Sequence, residues 1–110
     1  MRLSNFERDA ISCLLKKRID CATIDTVLSA CTISGYEFTK AGYYIQIFCK
    51  GWNLEKETIH KPLLIGKGQE IEVGFLLFTD GETLTLECHS WGEDDLLENI
   101  RHLELIIEEP

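Results

Sequence analysis

At 110 residues, 45% hydrophobic and 27% charged, the chain has the size of one domain and is too apolar to stay disordered. Its net charge of −8 disfavours a direct nucleic-acid binder, because phosphate contacts need an excess of lysine and arginine. No apolar run approaches the roughly 18 residues of a membrane-spanning helix, and the start, Met-Arg-Leu-Ser-Asn-Phe-Glu-Arg, has no apolar signal core. A single cytoplasmic domain over residues 1–110 is the expectation.

Ser4-Asn5-Phe6-Glu7 fits a capping box, with serine at the cap and glutamate three residues on. A helix should run from there to about Lys17. Leu3, Phe6, Ala10, Cys13 and Leu14 form a stripe at helical spacing, widened by Ile11 and Leu15. Lys16, Lys17 and Arg18 then suit the negative end of the helix dipole, and three charges without an interleaved aromatic make a thin nucleic-acid patch. Asp20 is placed to cap a second helix through Ala30, with Ile24, Val27, Leu28 and Cys31 on one face.

From Thr32 the pattern turns to strand. Tyr36 and Phe38 flank Glu37, and Tyr43 to Phe48 is a β-rich run. Thr39-Lys40-Ala41-Gly42 between them reads as a hairpin turn. Residues 51–68 are the least regular, with Leu63-Leu64-Ile65 expected as a short edge strand after Pro62. Gln69 to Cys88 is the central hairpin. Its turn is expected at Asp80-Gly81, since an Asp-Gly pair between apolar runs suits a type I′ turn. Leu84, Leu86 and Cys88 alternate with Thr83, Thr85 and Glu87, so this strand has one wet face; Gly74 marks a bulge or a close backbone approach. A last strand is expected from His102 to Ile107, and an edge strand such as residues 103–107 could also support pairing with a second copy.

The five cysteines form no Cys-x-x-Cys and are odd in number, which favours reduced, mostly buried thiols. Cys88 and His89, adjacent on a strand, point to opposite faces and cannot share an ion, and no His/Cys pair has zinc-ligand spacing. Gly66-Lys67-Gly68 is too short for a phosphate loop. No metal, cofactor or catalytic residue is expected, so an enzyme ranks below the other readings.

The charge is uneven. Residues 1–67 hold ten Lys/Arg and seven Asp/Glu, whereas residues 68–110 hold one and twelve. Within the acidic part, Trp91 stands beside Glu93, Asp94 and Asp95, with Glu87 before it and Glu98 after it. Tryptophan is frequent among residues that dominate interfaces, and a carboxylate rim suits a partner presenting lysine and arginine. Glu87, Trp91, Glu93, Asp94, Asp95 and Glu98 are therefore the candidate partner-binding residues.

Residues 74–84, with the later Trp91-Gly92 and acidic loop, resemble a set of short uncharacterised bacterial α+β proteins that open with a Leu-Ser-x-Phe-Glu-Arg-type helix, here Leu3, Ser4, Phe6, Glu7 and Arg8. The profile of a small acidic domain is also similar to immunity proteins of contact-dependent inhibition and related polymorphic-toxin systems. That resemblance implies neutralisation of a basic toxin, such as a nuclease, by occlusion, and it transfers no residue roles.

The expected fold is α+β: an N-terminal helical pair packed on a mainly antiparallel sheet of about five strands. The expected function is protein interaction, as an immunity protein. The alternative is a small ligand-binding or regulatory domain with a pocket between helices and sheet, lined by Tyr36, Tyr43 and Tyr44.

Overall fold

A computed structural model of the chain describes residues 1–92, 95–96 and 98–110. Two helices, α1 (Asn5–Leu15) and α2 (Cys21–Ala30), precede seven strands: β1 (Thr32–Phe38), β2 (Gly42–Phe48), β3 (Leu54–Ile59), β4 (Ile65–Gly68), β5 (Ile71–Gly81), β6 (Thr83–Ser90) and β7 (Ile106–Glu108). A 3₁₀ turn, Ile100–His102, lies between β6 and β7. The α+β class holds, but the sheet has seven strands instead of about five.

Both helices start where their caps dictate. The Ser4 hydroxyl accepts from the Glu7 amide at 3.4 Å, and Glu7 Oε1 accepts from the Ser4 amide at 2.8 Å. Asp20 accepts from the Thr23 amide at 2.9 Å, and these bonds satisfy amides that the first helical turn leaves without partners. The buried face of α1 is Phe6, Glu7, Ala10, Ile11, Leu14 and Leu15, while α2 contributes Ile24 and Leu28 and packs on α1. Helix α1 ends at Leu15, so the basic triplet lies beyond it. Lys16 pairs with Glu109 and Arg18 with Glu57, each at 2.6 Å. Two of the three cations are thus engaged by carboxylates within the chain.

All strand pairings are antiparallel, in the order β1-β2-β6-β5-β4-β7. Strand β5 is long enough to divide its outer edge: β4 pairs with residues 71–74, and β3 with part of the segment Leu77–Gly81. The central hairpin forms as expected, with its turn one residue later. Asp80 pairs with Thr83, leaving Gly81-Glu82 as the loop. Gly81 has φ +63 and Glu82 is not left-handed, which suits type II′ in place of type I′.

Strand β3 was not foreseen in the irregular stretch. The edge strand expected at 63–65 begins instead at Ile65, and the last strand is confined to residues 106–108: His102 belongs to the 3₁₀ turn, and residues 103–105 are unpaired. The bulges fall between Ile33 and Gly35 and between Leu54 and Glu57, not at Gly74.

The period-two alternation of the central strands sorts their side chains. Tyr43, Ile45, Ile47, Val73, Phe75, Leu77, Leu84, Leu86 and Cys88 are buried, and this face meets the helices, with the Phe6 and Phe75 ring centroids 6.1 Å apart. The opposite face carries Tyr44, Gln46 and Phe48 on β2, Thr83, Thr85, Glu87 and His89 on β6, and Leu76 and Phe78 on β5. No helix covers it. All five cysteines are free, as expected of reduced thiols, but only Cys49 and Cys88 are buried and Cys21 is exposed.

Candidate functional site

Two polar constellations stand out, one sealed and one open. The sealed one centres on Glu7, fully buried in α1. Arg101 donates from Nε to Glu7 Oε2 and from a terminal nitrogen to Oε1, both at 2.7 Å. The Tyr43 hydroxyl donates to Oε2 at 2.6 Å, and Arg101 also donates to the Arg2 carbonyl at 2.7 Å. The Arg101 guanidinium lies 5.7 Å from the Tyr36 ring centroid. Both carboxylate oxygens are thus shared among donors of the protein itself. Burial pushes the Tyr43 hydroxyl well above the usual phenol range, and the hydrogen bond to Glu7 raises Arg101 further. This is a fastening between the chain's two ends, with no oxygen left over for a substrate.

The open constellation lies where β6 ends. The Trp91 amide donates to the Glu72 carbonyl at 3.1 Å, and the Ser90 amide donates to the Ala41 carbonyl at 2.8 Å, so the backbone stays held past the last paired residue. Trp91 is 46% exposed. Its ring and that of His89, 6.1 Å apart, lie over Gly74. A Cβ there would stand 2.6 Å from His89 Nε2 and 2.8 Å from Trp91 Cε3. Gly74 is therefore the close approach read from the sequence: its missing side chain makes room for both rings. Nδ1 of His89 is buried and has no hydrogen-bond partner among the described residues.

Beside Trp91 runs a groove of about 440 Å³ lined by Gln69, Glu70, Ile71, Glu72, Ser90, Trp91, Gly92, Asp95, Leu96 and Leu103. Among the described residues the lining includes three carboxylates, one indole and no lysine or arginine. None of the three carboxylates forms an ion pair among the described residues. A groove of this composition suits a cationic side chain, since an aromatic ring and carboxylates both attract positive charge.

The structure brings together two of the six residues expected from sequence, Trp91 and Asp95. Glu87 is on the uncovered sheet face, two residues before His89 on the same strand. Glu98 is exposed in the turn before Ile100 and is not among the residues that line the groove. Glu93 and Asp94 lie outside the described residues. Glu70 and Glu72 were missed. The signal that could have found them is the pairing of β5 with β6, which sets Trp91 beside Glu72.

The three tyrosines of the alternative reading do not together line a pocket between helices and sheet: Tyr36 and Tyr44 share a shallow depression at the β1–β2 edge, and Tyr43 does not reach it. Tyr43 is fully buried on the helix side, Tyr36 lies on that side at the edge with its ring centroid 5.6 Å from that of Tyr43, and Tyr44 points to the opposite face. A depression of about 640 Å³ does lie on the uncovered face, lined in part by Gln46, Lys56, Thr58, Phe78, Thr83 and Thr85.

No family model, curated protein or solved structure matches this chain. The geometry of the groove therefore carries the functional argument. Cys88 and His89 occupy opposite faces, as alternation requires, and among the described residues no three His, Cys, Asp or Glu side chains are grouped to hold a metal ion.

Proposed function

We propose that the chain is a protein-interaction domain that docks a basic partner at the Trp91 groove, and that it acts as an immunity protein neutralising a basic toxin by occlusion. The observation that carries this reading is the groove itself, with Trp91 half exposed against Glu70, Glu72 and Asp95. Charge complementarity of this kind speeds encounter and excludes acidic competitors. The ring of Trp91 supplies the apolar anchor that long-range attraction lacks.

The test is capture of partners from lysate of the source organism on immobilised protein, at low and high salt, with mass spectrometric readout. One basic protein, retained at low salt and lost at high salt, is the expected result. The control is a column carrying Glu70→Lys, Glu72→Lys and Asp95→Lys, which should not retain it. Equal retention by the variant removes the groove from the account.

A second reading, a small-ligand or regulatory domain, is favoured by the 640 Å³ depression, whose lining combines Phe78 with threonines, Gln46 and the charged Lys56, Glu57 and Asp80. It predicts a thermal shift with a metabolite and no protein partner.

A further inference from the structure

We infer that the uncovered face of the sheet belongs to the same docking surface, with Tyr44 as a second cation-binding point. The inference rests on the proposal of a basic partner. In the strand register Tyr44 stands directly opposite Glu37 on β1 and directly opposite Glu87 on β6. Directly opposed side chains have Cβ atoms about 4.5–5.5 Å apart. One aromatic ring is thus flanked by a carboxylate on each side.

Tyr44 is 36% exposed, and Phe48, on the same face of β2, is 39% exposed. Around Tyr44 lies a depression of about 480 Å³ lined also by Gly35, Tyr36, Glu37, Gln46 and Thr85, with no lysine or arginine among the described lining residues; the Arg101 guanidinium is 5.7 Å from the ring centroid of Tyr36. Gly35 helps keep the depression open, since it places no side chain beside Gln46. Neither Glu37 nor Glu87 forms an ion pair among the described residues. Elsewhere in the chain, Glu57, Glu108 and Glu109 each have a lysine or arginine within the molecule.

Charge complementarity selects the occupant. A guanidinium is planar, stacks on an aromatic face and donates to carboxylates in its own plane, so an arginine of the partner satisfies Tyr44 and either glutamate at once. Glu87, His89 and Trp91 alternate along β6 and its extension. The four-residue span from Glu87 to Trp91 sets the two aromatic points about 13 Å apart along the strand direction. The partner is therefore a basic protein presenting two cationic groups at about that separation.

The experiment is an amide NMR titration of the ¹⁵N-labelled protein with hexa-arginine, with hexa-glutamate as control. Saturable shifts at Glu37, Tyr44 and Glu87, together with shifts around Trp91, are expected. Tyr44→Leu should weaken binding roughly two- to fivefold, the range of an exposed cation–π contact, with the remaining amide spectrum unchanged. Glu37→Gln with Glu87→Gln should abolish the Tyr44 shifts while leaving those at Trp91. Shifts confined to the Trp91 groove would overturn this inference and leave the proposed function standing. Non-saturating shifts spread over all acidic residues, or none, would overturn both.

Discussion

Arg101 and Glu7, 94 residues apart, form a two-pronged ion pair whose carboxylate is fully buried. Glu7 serves twice, since the carboxylate that closes the α1 capping box is also the one that receives Arg101. Removing one partner strands a buried charge. Arg101→Met should therefore lower the unfolding free energy by about 3–5 kcal/mol, read from urea denaturation. A loss below about 1 kcal/mol would mean that the pair is solvated.

Ser4→Ala separates the cap from the ion pair. It removes the hydroxyl that accepts from Glu7 while leaving the Ser4 amide and the Arg101 contacts in place. A loss of about 1 kcal/mol is expected. A loss as large as that of the Arg101 variant would show that the cap positions the carboxylate.

The thiols predict alkaline behaviour. Burial pushes Cys49 from 9.0 up to about 12, and also raises Cys88. In the unfolded chain these thiols ionise near their ordinary value, so between about pH 9 and 12 the unfolded state holds fewer protons than the folded one. Stability is then complete below pH 9 and falls as pH rises, by up to about 1.4 kcal/mol per pH unit for each such group. Denaturation midpoints measured from pH 8 to 11 should decline. Alkylation at pH 8 should modify exposed Cys21 first and spare Cys49 and Cys88.

Gly74 fixes the aromatic end of the sheet. Gly74→Ala drives a methyl group against His89 and Trp91, and overpacking of this kind costs about 1–3 kcal/mol. The indole should swing outward. Acrylamide quenching in a Trp52→Phe background should rise, and partner binding should weaken. Unchanged quenching would mean that the rings move aside without exposing Trp91.

The helices were legible because their signals are local: a capping box, a capping aspartate and apolar spacing of three and four. The strands Tyr43 to Phe48 and Thr83 to Cys88 were legible from alternation. Strand β3 was not, since Leu54-Glu55-Lys56-Glu57 carries three charges and a bulge that breaks the alternation. The turn was placed one residue early because Asp-Gly suits type I′, whereas the pairing of Asp80 with Thr83 puts Gly81 first in the loop. Trp91 and Asp95 could be read as neighbours in the chain. Glu70 and Glu72 were not, because they come near Trp91 only through the register of β5 against β6, which the expected hairpin offered but which was not followed out to its open end. Glu7 was read as a cap alone, since nothing local shows that residue 101 reaches it.

The most direct measurement is the dissociation constant of the captured basic partner for the wild-type protein and for Trp91→Ala, by calorimetry at fixed salt. An anchor residue should cost at least about 2 kcal/mol, roughly thirtyfold in affinity. Equal affinity for the two proteins would contradict the claim that the partner docks at Trp91.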